Sequence, residues 1–134
     1  MGILDLFRSK PEREKLGHIK ALIALSLADG RIDKNELKAI IAVCHRENIS
    51  ESEIRRCIID PDSIQYVQPK DDETKVRYLK DMVCIMMSDG DINDEEIALC
   101  KLFAESLGFR KEVIDVMIID IIKELKKKLD RYDF

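Results

Sequence analysis

Apolar side chains recur at spacings of three and four along most of the chain, the rhythm of helices that bury one face. Leu16, Ile19, Ile23 and Leu27 mark a first helix from Glu12 to Ala28, and Gly30 breaks it. A second helix opens at Asp33 and carries Leu37, Ile40, Ile41 and Cys44 as far as Asn48. A third opens at Ser50 and closes at Asp60-Pro61, because a proline disfavours helix in the residue before it. Both later openings, Asp33-Lys34-Asn35-Glu36 and Ser50-Glu51-Ser52-Glu53, have the form of a capping box. In that motif the first side chain accepts a hydrogen bond from the backbone N–H three residues on, and the glutamate reaches back.

Shifted by 60 positions, the chain falls on itself. Residues 15–60 meet 75–120 without a gap: Lys15 meets Lys75, Asp29-Gly30 meets Asp89-Gly90, Glu36 meets Glu96, and Ile58-Ile59-Asp60 meets Ile118-Ile119-Asp120. Asn48 meets Gly108, the two residue types most at ease in the left-handed conformation that ends a helix. The second copy therefore predicts a helix from about Asp72 to Ser88, another from Asn93 to Gly108, and a longer one from about Arg110 to Leu129. The expected fold is all-α, a helical bundle of two pseudo-symmetric three-helix repeats. It forms one domain over residues 1–134, with repeat 1 at about 15–60, a linker at 61–70 and repeat 2 at about 71–129. Neither half alone has enough apolar area to be stable, so the two should dock face to face.

The most similar stretches are "LADGRIDKNE" and "MSDGDINDEE", Leu27–Glu36 and Met87–Glu96. Gly-x-Ile-x-x-x-Glu also ends a calcium-binding EF-hand loop. Counting back, however, puts the first and third ligand positions on Leu25 and Leu27, and on Ile85 and Met87, and hydrocarbon cannot coordinate calcium. A helix turn accounts for most of the pattern. Gly30 and Gly90 follow a helix, Ile32 and Ile92 precede the cap, and Asp33 and Asn93 cap the next helix for about 1 kcal/mol each. Asp29 and Asp89 are not explained this way, since an acid in the last turn of a helix opposes the dipole. Each either turns to cap the following helix or joins a cation site. The candidate ligands are Asp29, Asp33 and Glu36 in the first turn, and Asp89, Asp91, Asn93 and Glu96 in the second. Such oxygen donors suit Ca2+, Mg2+ or Mn2+, held weakly, at about 10⁻⁴ to 10⁻³ M.

With its two "ADG-x-I-(D/N)-x-x-E"-type turns, the chain from about Lys15 to Leu125 resembles the TerB-like tellurite-resistance family. It also resembles the N-terminal portion of certain membrane-anchored DnaJ-type co-chaperones. The resemblance implies a compact, internally pseudo-symmetric helical domain with charged surface patches, tied to bacterial stress responses. It further implies metal-ion involvement, partner binding and no established catalysis. Asn93 stands where the first turn has Asp33, a departure from a shared two-carboxylate role.

Composition narrows the functional classes. With 46% hydrophobic and 37% charged residues, 134 residues read as one soluble globular domain. A net charge of −4 argues against a nucleic-acid partner, because displacing phosphate counterions needs cations. The one basic run, Lys123 to Lys128, reads as a solvated helix end favoured by the dipole. Cys44, Cys57, Cys84 and Cys100 stand in apolar helical contexts with no close CxxC pair, as reduced core thiols of a cytoplasmic protein would. His18 reads as a helix-surface residue and His45 as a helix-end residue. No Ser-His-acid or Cys-His set assembles, so no enzyme is expected. Ile3, Leu4, Leu6 and Phe7 beside Arg8 and Lys10 suit residues 1–10 to a membrane surface, to the protein's own core as a folded-back arm, or to another chain. The expectation is a non-enzymatic, TerB-like stress-response module that binds a protein partner, with weak cation binding at its acidic turns. The alternative is a metal-free adaptor or co-chaperone-like module that touches the membrane through its N-terminal arm.

Overall fold

Helices begin in this chain where a side-chain oxygen can accept from the first unpaired backbone N–H groups. Ser9 Oγ accepts from Glu12 N–H at 3.3 Å, Ser50 Oγ from Glu53 N–H at 3.3 Å and Asp71 Oδ2 from Thr74 N–H at 2.9 Å. The box at Asp33 is complete. Asp33 Oδ1 accepts from Glu36 N–H at 2.8 Å, and Glu36 Oε1 accepts from Asp33 N–H at 3.2 Å. Asn93 Oδ1 accepts from two N–H groups, Glu95 at 2.7 Å and Glu96 at 3.4 Å.

The computed structural model describes residues 9–88, 90 and 92–131. The helices are α1 (Lys10–Ser26), α2 (Lys34–Arg46), α3 (Glu51–Ile59), α4 (Asp72–Met86), α5 (Asp94–Ser106) and α6 (Val113–Arg131), with no strand among the described residues. The fold is all-α. Helix α5 starts and stops 60 positions after α2. Stops follow the sequence signals: Gly30 at φ +102° after the first turn, and Asn48 at φ +58° after α2. At both places a branched side chain would be strained.

Helices α1 and α4 occupy the centre. Helix α1 packs against α2, α3, α4 and α5, and α4 against α1, α2, α5 and α6. Their side chains supply most of the core, including Leu16, Ile19, Leu22 and Leu25 from α1 and Leu79, Met82, Val83, Ile85 and Met86 from α4. The linker between Asp60 and Asp71 is held down. Its short 3-10 turn, Pro61–Ser63, leads to a buried Ile64, whose carbonyl accepts from Lys20 Nζ at 2.8 Å. The chain then crosses α1 so closely that a Cβ at Gly17 would lie 2.9 Å from the Val67 nitrogen.

Several expectations need correction. Helix α1 begins at Lys10 and leaves the α-helical path at Ser26 for a 3-10 turn, Leu27–Asp29, which turns Leu27 out to solvent. Helix α6 starts at Val113 rather than Arg110, because Arg110 to Glu112 form tight turns first. It runs on to Arg131. Leu37 and Ile41 of α2 are more exposed than a core face requires, and Ile92 is exposed where Ile32 is partly buried. Cys44, Cys57 and Cys100 are buried as expected, but Cys84 is exposed, and all four are free thiols. No described helix is long and apolar enough to cross a membrane.

Candidate functional site

The acidic turns serve as helix caps. Asp33 and Glu36 are committed to each other's backbone N–H groups, and Asn93 to two at once. Both glutamates are buried, Glu36 at 2% and Glu96 at 3% exposure, and Glu36 meets the Asp33 backbone N–H there. Asp29 ends the 3-10 turn that Gly30 N–H closes onto the Leu27 carbonyl at 2.9 Å, while its side chain lies outside the described part of the structure, as do Asp89 and Asp91. Among the described residues, no group of three or more His, Cys, Asp or Glu side chains is arranged to hold a metal ion. Residues 1–8, most of the arm considered for membrane contact, also lie outside the described residues.

A denser polar constellation sits at the junction of α1, α2 and α4, centred on Asp81. Arg46 of α2 grips this carboxylate with both terminal nitrogens, Nη1 to Oδ1 at 2.8 Å and Nη2 to Oδ2 at 2.6 Å. His18 of α1 lies 2.8 Å from Oδ2 through Nε2. An ionised carboxylate only accepts, so Nε2 carries the proton. The imidazole stacks flat on Tyr78, with centroids 3.7 Å apart and planes within 5°. Positions 18 and 78 are the same place in the two sequence copies. Glu47 extends the network: Arg46 Nη2 donates to its Oε1 at 3.0 Å, Arg77 Nη2 lies 3.6 Å from the same oxygen, and Lys15 Nζ donates to its backbone carbonyl at 3.3 Å. The Arg77 guanidinium lies 5.7 Å from the Tyr78 ring centre, a cation–π contact.

Burial and charge fix the protonation states here. Burial pulls the His18 pKa below its usual value, and the Asp81 hydrogen bond only partly restores it, so the imidazole is neutral at pH 7. For Asp81 burial works upward, but the hydrogen bonds from Arg46 and His18 outweigh it and hold the carboxyl below its ordinary range. Burial, helped by the Glu47 charge, pushes the Tyr78 hydroxyl up to about 12. The expectation that His18 is a surface residue is therefore wrong: it is 2% exposed. His45, at the helix end, is exposed as expected.

Chemically the constellation is a clamp. Its carboxylates are already met by cations, and His18 has no opening to solvent through which a substrate could reach it. Three of the thiols, Cys44, Cys84 and Cys100, are held in the protonated form too. Burial raises Cys44 to about 11 and Cys100 to about 12, and partial desolvation raises Cys84 as well.

Two concave surfaces flank the clamp. A polar cleft of about 400 Å3 lies over Glu47, lined also by Glu12, Lys15, Asn48, Ser50 and Glu53. An apolar groove of about 340 Å3 runs along α2 and α3 between Leu37, Ile41, Ile49, Ile54 and Ile58, with His45, Glu51 and Arg55 at its rim. Sixty positions on, Lys101 and Asp115 stand where the groove has Ile41 and Arg55, and they form an ion pair at 3.5 Å. The first half is open and apolar at the place where the second is bridged by charge. Comparison with protein-family models, curated proteins and solved structures gives no match to this chain.

Proposed function

We propose that the chain is a non-enzymatic, TerB-like interaction module, built from two docked copies of one three-helix unit and acting in a bacterial stress response. The apolar groove on α2 and α3 is the observation that carries the interaction role. It leaves Leu37, Ile41 and Ile58 at 36 to 45% exposure along one concave line, the shape that receives the aliphatic face of a partner helix. The paired "Asp-Gly" turns and the common 60-residue offset of α2 and α5 support the repeat architecture on which the family likeness rests.

The test is affinity purification from the native host with the full chain and with Ile41→Lys. Ile41 lines the groove and is already 36% exposed, so the variant should fold. A defined protein retained by the wild type and lost from the variant supports the proposal; an identical set of proteins from both overturns it.

Weak cation binding at the acidic turns is a second reading. It is favoured by the retention of an acid at the end of the helix in both copies, Asp29 and Asp89, against the dipole. Asp33, Glu36, Asp91, Asn93 and Glu96 would complete the two ligand sets, with Asn93 giving up its cap to do so, since its one side-chain oxygen already accepts from Glu95 and Glu96 N–H. Calorimetric titration with Ca2+, Mg2+ and Mn2+ should then show binding at about 10⁻⁴ to 10⁻³ M, lost in Asp29→Ala with Asp89→Ala. Heats that match buffer, or that survive both substitutions, leave the metal-free adaptor.

A further inference from the structure

The last turns of α6 are exposed, touching the bundle at Glu124, which lines a concavity against α4. Residues 122–131 are all exposed, about 15 Å of helix. So short a helix has little stability of its own in water. Yet this stretch carries Ile122, Leu125 and Leu129 at 39, 51 and 66% exposure. Ile118, partly buried against the core, precedes them at a spacing of four, then three, then four. One apolar stripe therefore starts in the core and runs out of it, uncovered among the described residues.

Charge is sorted around this stripe. Residues 118–131 hold five cations, Lys123, Lys126, Lys127, Lys128 and Arg131, against three carboxylates, in a chain whose net charge is −4. At about 100° per residue, Lys126 and Lys128 border the stripe, one on each side. The carboxylates Asp120, Glu124 and Asp130 all fall at least about 100° from its centre. Glu124 is turned toward Lys80 of α4, 4.0 Å away.

We propose that this face of α6 docks on an anionic lipid surface. The aliphatic stripe enters the boundary between headgroups and acyl chains, and the flanking lysines extend their stems to lipid phosphates. A protein partner fits less well. The helix from Leu125 to Arg131 is exposed at every residue, the concavity between α4 and α6 reaches only as far as Glu124, and lysine is depleted in protein interfaces. A parallel second copy would set Lys126 and Lys128 beside the same residues of its twin. The surface is separate from the groove on α2 and α3 and from residues 1–10, so it goes beyond the module proposed above.

The experiment is co-sedimentation of the full chain with phosphatidylcholine vesicles and with mixed phosphatidylcholine–phosphatidylglycerol vesicles. Binding should require the anionic lipid and weaken with salt. Lys126→Ala with Lys128→Ala should lower partition by about 25-fold, at about fivefold per lysine, and Leu125→Ser with Leu129→Ser should abolish it. The lysine pair alters only solvated side chains, so it remains a valid test if the leucine pair unfolds. No binding, equal binding to both vesicles, or full binding by the lysine variant overturns the proposal. So does loss of binding only on deletion of residues 1–8, or a wild-type dimer that the leucine pair converts to monomer without any vesicle binding.

Discussion

Asp81 is buried on the face of α4 that also buries Tyr78, Met82 and Ile85, so its carboxylate can stay charged only because Arg46 and His18 meet it there. Removing one member of such a pair strands the other. A fully buried pair broken in this way costs about 3–5 kcal/mol. Arg46 still reaches solvent, with its side chain 43% exposed, so Arg46→Met should cost less, about 2–3 kcal/mol, read as a lower urea midpoint. A change near zero would mean that Asp81 is already solvated or protonated. His18 was legible in principle, because His18, Leu22 and Leu25 fall at i, i+4 and i+7 on one helix face. It lies apart from the main stripe through Leu16, Ile19 and Ile23. A helix buried on two sides has two such stripes, and periodicity alone cannot say that both are covered.

At the scale of the element, capping is local chemistry, and it was readable. The Asp33 box, the Ser50 and Asn93 caps and the left-handed Asn48 all stand where side-chain type and spacing put them. The linker was not readable in this way. Its hold on α1 depends on a close approach that no local signal announces, since Gly17 lies in the middle of a helix where glycine is otherwise unfavourable. Gly17→Ala should therefore destabilise by about 1–2 kcal/mol, although alanine is the better helix former, because the added methyl must push the backbone of residues 65–67 away. Thermal unfolding would check the sign. A more stable variant would show that the linker yields freely.

Across the whole molecule, the clamp ties both central helices to α2 and makes stability depend on pH. His18 has a lower pKa folded than unfolded, so the unfolded chain takes up its proton first as pH falls. That contribution is fully present above the unfolded value of about 6.5 and is lost progressively below it. Asp81, also lowered, adds a second loss below about pH 4, where the unfolded chain binds its proton and the folded one resists. Stability should fall from pH 7 to 5, and His18→Phe, which keeps a ring on Tyr78, should flatten that upper part and shrink the Asp81 part, which also loses a hydrogen bond. Denaturant midpoints at pH 7 and pH 5 would show it, and an unchanged slope would remove His18 as the cause.

The order of helices, their caps and their stops follow from the sequence, because each rests on interactions within a few residues. The doubled pattern is equally plain there, since it needs only comparison of the chain with itself. Which polar side chains would be buried together, which groove would stay open and how far α6 would outrun its neighbours were decided by tertiary packing. Those outcomes depend on surfaces brought together from distant parts of the chain, as His18 and Asp81 are across 63 positions.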